Sequence, residues 1–301
     1  MEFYLVSTSH LEDRLWFRDE DDYKVGMNYV AVTAYTTGIE VLTFILMSNH
    51  VHFVLQCTLP GAEQFINQFK HRYSIYIRNK YGIPEMLRGI QVDIRRVGLE
   101  EESLERAIAY VIMNSVAANI CLHASQYPWG TGNLLFNQQP TKGRTLKNYS
   151  ARALSRLLHS WIELPETYRM SDEGYILPES YIPVSFVESL YRTPKRLNWF
   201  LLNSSKAKAR LSHAESPSPA FRDQSVADGI QDLCRSLFRK GSFKELAPEQ
   251  KAELVQQIKM RYSIEPAQIA RVAGITYDEA AKLLDSFYAG IPVSVTSQKC
   301  Q

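Results

Sequence analysis

The sequence predicts an α+β fold: a small antiparallel sheet with helices packed on one face, followed by a mostly helical C-terminal part. Three observations predict it. Over residues 1–140, runs of strand composition interleave with runs of helical periodicity in the rough order βαββαβα. Two β-rich runs, "EVLTFILMS" and "HVHFVLQC", are joined by Ser48-Asn49, which suits a tight turn. After the polar stretch "FNQQPTKGRTLKN", helical patterns take over.

Taken in order, "FYLVSTS" has strand composition and "EDDYKVGMNYVAVTAYTTG" reads as a helix up to Gly38. The two β-rich runs follow. In "GAEQFINQFKHRYSIYIRNKYG", apolar residues recur at Phe65, Phe69, Tyr73, Tyr76 and Ile77, a helix ended by Gly82. "GIQVDIRRVG" alternates like a strand, and "SLERAIAYVIMNSVAANICLHASQ" reads as one long helix stopped near Pro128. Residues 146–213 form a mostly helical accessory segment. The Ser- and Pro-rich "HAESPSPAFRDQS" is a linker to a helical unit at 225–290.

At 301 residues the chain has room for two or three domains. Hydrophobic residues make up 45% and charged residues 22%, ordinary for a soluble globular protein. No apolar run reaches eighteen residues, so no membrane association is expected, and "MEFYLVSTSHLEDR" lacks the pattern of a secretory signal. Cys57, Cys121, Cys234 and Cys300 are far apart and read as reduced thiols of a cytoplasmic protein. Residues 1–145 carry 13 basic and 15 acidic side chains, yet Lys70, Arg72, Arg78, Lys80, Arg88, Arg95 and Arg96 face only Glu85 and Asp93 locally. Such a stretch is compatible with a polyanion site.

In a strand, His50, His52, Val54 and Gln56 share one face and Val51, Phe53, Leu55 and Cys57 the other. The apolar set claims the core, so the two imidazoles are expected to look outward together, their alpha carbons roughly 7 Å apart. That spacing lets both converge on one cation, although ordinary exposed histidines fit it equally. On the later helix, Leu104, Ile108, Val111, Ile112, Ser115 and Leu122 make one stripe, while Arg106, Tyr110 and Asn114 recur at i, i+4, i+8 on another. A phenol one turn from a carboxamide suits a tyrosine nucleophile beside a metal; simple packing of Tyr110 at the core edge is the bland alternative.

"LMSNHVHFVL" and "AYVIMNSVAANI" resemble the HUH single-tyrosine transposases, specifically the REP-associated tyrosine transposases, whose motifs run M-P-N-H-V-H-L-L-L and Y-I-x-x-N-P-V-x-A-G. "FRDEDDY", "FKHRYSIYIRNKYG" and "SQYPWGTG" support the resemblance, in the same order, across about residues 3 to 136. It implies an HUH/ferredoxin-like transposase fold and a divalent metal, Mg2+ or Mn2+, held by His50, His52 and Asn114. It implies that Tyr110 attacks single-stranded DNA next to hairpins, leaving a 5′-phosphotyrosine and a free 3′-hydroxyl. Lys70, Arg72, Arg78, Arg95, Arg96 and Arg106 are then the DNA-binding candidates, and a homodimer, with Tyr110 serving its own or a partner's histidines, is left open. The chain departs from the family at Ser115, where proline stands, and at Ala118-Asn119 in place of Ala-Gly.

Two alternatives stay open: a domesticated, non-catalytic DNA-binding regulator, and a metal hydrolase of small substrates. The second is disfavoured, because no Asp or Glu stands in the histidine strand to act as base. Tyr73 and Tyr76 fit core periodicity better than a nucleophile's role, and neighbouring His71 is a candidate to face DNA. "QIARVAGITYDEAAKLLDSF" has a helix-turn-helix pattern, with Ala270, Gly274, Ala280 and Leu283 at the packed positions, but Asp278, Glu279 and Asp285 oppose DNA contact. "YRTPKRLNWF" and "SKAKARL" are the more basic candidates for auxiliary DNA contacts.

Overall fold

The computed structural model describes residues 2–8, 15–83, 87, 89–137, 139, 141–204, 223–262, 264 and 266–289. The chain divides into two compact units, residues 1–217 and 218–301. Glu85, Arg88, Cys300, "SKAKARL" and residues 213–222 of the expected linker lie outside the described residues, as does the Asp285 side chain.

The first unit is built on a four-stranded antiparallel sheet in the order β2-β3-β1-β4, with β1 at Glu2–Thr8, β2 at Glu40–Met47, β3 at His50–Cys57 and β4 at Val92–Val97. Helices α1 (Glu20–Thr37) and α2 (Leu59–Tyr81) pack together, and Phe65 and Phe69 of α2 meet Phe53 of β3 with ring centroids 5.1 and 5.5 Å apart. Both helices end where expected, at Gly38 and Gly82. Lys80 ties them together, reaching Asp19 at 2.7 Å and the fully buried Asp22 at 2.8 Å. Leaving such a carboxylate buried alone costs several kcal/mol, about 3–5 by analogy with broken buried pairs.

The expected helical layer is this α1–α2 pair. A further helix, α3 (Ser103–Ile112), lies over the opposite face of the sheet, where Tyr110 meets His52. The core stripe of α3 is as predicted for Leu104, Ile108, Val111 and Ile112, all buried. The single long helix is not. It breaks at Met113, and only one turn, α4 (Asn114–Ala117), follows. Asn114 folds its Nδ2 back onto the carbonyls of Tyr110 (2.9 Å) and Val111 (3.2 Å), a local bond that competes with helix continuation. Leu122, placed on the stripe by extrapolating that helix, is 68% exposed.

The "YPWGTG" stretch closes the outer edge of β2. Leu46 N–H donates to Trp129 O at 2.8 Å and Thr131 N–H to Phe44 O at 3.1 Å. A Cβ on Gly130 would stand 2.8 Å from Phe44 O, so only glycine lets this segment approach. An edge covered in this way cannot pair with another chain.

Residues 146–204, set apart by composition, fold into the same unit as residues 1–140. Leu146, Leu158, Leu164, Met170 and Ile176 form one buried cluster with Ala31 and Val32 of α1, and Asn28 bonds to Leu157 O, Gly174 O and Ile176 N. The segment is also less helical than expected. Strands β5 (Gly143–Thr145) and β6 (Arg169–Ser171) pair antiparallel beside α5 (Ala151–Leu158), and α6 (Val184–Tyr191) and α7 (Pro194–Asn203) follow.

The second unit contains α8 (Asp223–Phe238), α9 (Pro248–Tyr262), α10 (Pro266–Ala273) and α11 (Tyr277–Ala289). Its buried residues include Val226, Ile230, Leu233, Leu254, Ile258 and Ile269. Asp223 receives bonds from Gln268 and Arg271, fastening the start of α8 to α10. Gly274, at φ +67, turns the chain between α10 and α11. Ala270 and Ala280 are buried as expected; Leu284, not Leu283, is the buried leucine of α11. Among the described residues no helix is long and apolar enough to cross a membrane.

Candidate active site

Strand β3 places the two histidines. The hairpin at Ser48-Asn49 forms as predicted, pinned from outside because Ser48 O accepts the N–H groups of Trp16 (2.7 Å) and Phe17 (3.2 Å). His50 and His52 share one face as expected, with ring centroids 4.9 Å apart, but they do not look outward: α3 covers that face and leaves them 5% and 3% exposed. Each ring is held through Nδ1. His50 Nδ1 lies 2.7 Å from Asn49 Oδ1; an amide oxygen only accepts, so this nitrogen carries the proton. His52 Nδ1 lies 2.7 Å from Ser7 Oγ. Partners of this kind set the ring orientation of metal-binding histidines.

Register identifies what else occupies that face. Directly opposed residues share a face, so Ser7, opposite both His52 and Asp93, brings Asp93 to the histidine side. Leu5, opposite Val54 and Arg95, does the same for Arg95. Arg95 and Asp93 pair at 2.6 Å, both largely exposed. Tyr110 enters from α3, half-buried, its ring centroid 5.7 Å from that of His52 and nearly perpendicular to it. Burial raises the Tyr110 phenol above its ordinary value; Arg95 pulls it down and Asp93 pushes it up. Asn114, 3% exposed, spends its Nδ2 on the α3 carbonyls, which leaves Oδ1 as the amide's ligating atom. Tyr110, His50 and His52 are thus brought together, and Asn114 sits just beyond the end of the same helix.

The basic candidates are divided by the sheet. Lys70, Arg72 and Arg78 belong to α2, on the Phe53 side, and Lys70 Nζ reaches Ile90 O at 3.5 Å. Arg96, one residue from Arg95, has the opposite facing and pairs with Glu2 at 3.0 Å. Lys80 is taken by Asp19 and Asp22. Arg106, one turn before Tyr110, meets Glu102 at 3.3 Å. The local excess of positive charge along the sequence is therefore not one groove in space. Tyr73 and Tyr76 are buried, donating to Trp16 O (2.6 Å) and Asp22 Oδ1 (2.9 Å), and burial raises both phenols. His71 is exposed on α2.

Sequence reasoning missed Asn49 and Ser7 as orienting residues and Asp93 as a neighbour of the phenol. Asn49 was visible next to His50. Ser7 and Asp93 needed the register of three strands.

Among the described residues, no three or more of His, Cys, Asp and Glu gather as a metal-binding group. Two imidazoles and one carboxamide oxygen are a nitrogen and oxygen donor set of the kind that can ligate a divalent cation. No curated protein matches the chain. A solved structure of a REP-associated tyrosine transposase bound to a REP hairpin is 11% identical, covers 44% of this chain and 77% of its own, and has a TM-score of 0.34. A family model, transposase IS200 like, matches residues 12–89, which contain both histidines but neither Tyr110 nor Asn114. Across the histidine hairpin and the two helices that back it, this chain is similar to the IS200-like transposases, in keeping with the resemblance its motifs carry.

Proposed function

We propose that the first unit cleaves and rejoins single-stranded DNA beside hairpins, with Tyr110 as nucleophile and His50, His52 and Asn114 holding Mg2+ or Mn2+. The observation that carries the reading is the placement of two oriented imidazoles on one sheet face with the Tyr110 ring against the second of them. When bound, the cation would polarise a phosphate oxygen and open the phosphorus to attack. Tyr110 Oη forms the bond to phosphorus, the bond to the 3′ oxygen breaks, and that oxygen leaves as the 3′-hydroxyl. Arg95 contributes positive charge where the phenolate develops. Rejoining is the reverse attack of a 3′-hydroxyl on the phosphotyrosine.

The test is incubation of a labelled hairpin with a single-stranded flank, with Mg2+ or Mn2+, followed by denaturing electrophoresis. A covalent adduct that forms with wild type and vanishes in Tyr110→Phe supports the assignment; equal adduct in both discards it. One observation favours the second reading, a DNA-binding regulator that retains the fold: the family match covers both histidines but not Tyr110 or Asn114. Hairpin binding by gel shift, undiminished in Tyr110→Phe and with no adduct in any metal, would establish that reading instead.

A further inference from the structure

Beside the tyrosine helix, α6 and α7 expose basic and aromatic side chains that the proposed chemistry does not use. We propose that α7, through Lys195, Arg196 and Trp199 with Arg192 at its start, is a track for single-stranded DNA leading to Tyr110. The inference rests on the transposase reading of that site, and its test separates the two.

Helix α7 is fastened to α3. Tyr191 Oη donates to Glu105 O at 2.8 Å, and Arg196 meets Glu102 at 2.6 Å. The Phe200 ring lies against both Arg106 and Arg196, whose guanidinium carbons stand 5.7 and 5.4 Å from its centroid. One carboxylate, Glu102, thus gathers two guanidiniums, of which Arg106 stands a single turn before Tyr110, about 6 Å of helical rise. Glu100, Glu101 and Glu105 share that stretch, so the surplus cations of the track are Arg192 and Lys195. Glu102 and Glu101 hold left-handed backbone at φ 61 and 53, a conformation costly for any residue but glycine. The strain falls where it delivers Glu102 to both arginines.

Lys195, Arg196 and Trp199 stand at i, i+1 and i+4, so the tryptophan shares a helix face with both cations. All three are exposed, Trp199 by half its surface, and Phe186 and Leu202 are exposed on the same pair of helices. Residues 184–203 contain one acid, Glu188, and its carboxylate accepts the Phe136 N–H at 2.6 Å. Cations interleaved with an exposed aromatic ring match unstacked bases on a phosphate chain. A duplex hides its base faces and gives Trp199 nothing to stack on.

The full chain is titrated with a labelled single-stranded oligonucleotide and with the same sequence as a duplex, followed by fluorescence anisotropy. Trp199→Ala is expected to weaken single-strand binding about tenfold, and Trp199→Phe to retain most of it. Combining Lys195→Gln with Arg196→Gln should flatten the slope of log affinity against log salt by about 1.4. The track is overturned if Trp199→Ala and the double variant bind the single strand as wild type does. It is also overturned if duplex binding falls as much as single-strand binding, or if Trp199→Ala only turns a dimer into a monomer. Loss of these binding effects beside a normal Tyr110-dependent adduct removes the track alone; absence of the adduct beside intact binding effects removes the cleavage reading alone.

Discussion

The two faces of the four-stranded sheet bury the same strand in opposite chemistry. On one side Phe53 meets Phe65 and Phe69 of α2, Val51 and Leu55 are buried with it, and Tyr73 spends its hydroxyl on Trp16 O. On the other side His50 and His52 are nearly as buried, but their partners are Asn49 and Ser7, and Asp93 and Arg95 stand on the same face one strand further on. Burial therefore does not separate core from site. The difference lies in what the polar groups do. On the Phe53 face the Tyr73 and Tyr76 hydroxyls close bonds within the protein, while on the histidine face Asn49 and Ser7 hold two rings that stand against each other and a phenol.

The sharpest way to break this comparison is to remove one phenolic hydroxyl from each face. Tyr110→Phe should lower covalent adduct formation by at least about a thousandfold, as loss of a nucleophile does. Tyr73→Phe should leave it intact and cost about 1 kcal/mol of stability, the loss of one hydrogen bond, read by denaturant melting. Equal adduct loss in both would mean that the faces are not functionally distinct.

Next in size is the apolar side itself. Phe53→Ala should destabilise the first unit by about 3–5 kcal/mol in urea melts, through lost burial and the cavity left behind. His52→Ala, one residue away, should cost less stability and abolish metal-dependent adduct formation. The α1–α2 layer offers a charged counterpart. Lys80→Met should cost about 3 kcal/mol, because it removes the countercharge of the buried Asp22 carboxylate and leaves it to the neutral donors Arg18 N–H, Tyr76 and Tyr81. Burial and the neighbouring Asp19 raise the Asp22 pKa in the folded state, so the native protein binds that proton more tightly than the unfolded chain. Its contribution is therefore full at low pH and falls as pH rises through the folded pKa. The deficit of the variant should shrink as the melts are repeated at lower pH.

Two smaller effects sharpen the histidine face. Asn49→Ala and Ser7→Ala should each weaken Mn2+ binding by about 10- to 100-fold, measured by calorimetry, since both hold an imidazole through Nδ1. The smallest effect concerns the phenol. Its titration, followed by the NMR shift of labelled tyrosine Cζ, should have a midpoint above 10, because burial disfavours the phenolate. Arg95→Ala should move that midpoint further up by removing a stabilising positive charge. A downward movement would contradict the placement of Arg95 beside Tyr110.

Much of this was legible along the chain because the information was local. Alternation in "HVHFVLQC" assigned each side chain to a face, the apolar repeat from Phe65 to Ile77 marked the buried side of α2, and the i, i+4 spacing set Tyr110 off the core stripe of α3. Where local bonding intervened, extrapolation failed: the Asn114 amide turned back on its own helix, and Leu122 never joined the stripe. The charge tally failed for a different reason. Proximity in sequence put Lys70, Arg72, Arg78, Arg95 and Arg96 in one group, whereas the sheet separates α2 from the histidine face and neighbouring carboxylates take Lys80 and Arg96.

By itself the sequence determined the order of elements in the sheet-forming part, the side of β3 on which both imidazoles stand and the place of Tyr110 off the core stripe of α3, because strand and helix periods are properties of the chain alone. Only the tertiary structure decided that α3 crosses to the face opposite α1 and α2, that Ser7 and Asp93 join the histidines, and that residues 146–204 complete the first unit. Those relations depend on strand register and on which apolar surfaces find one another, and both are settled by contacts between residues far apart in the chain.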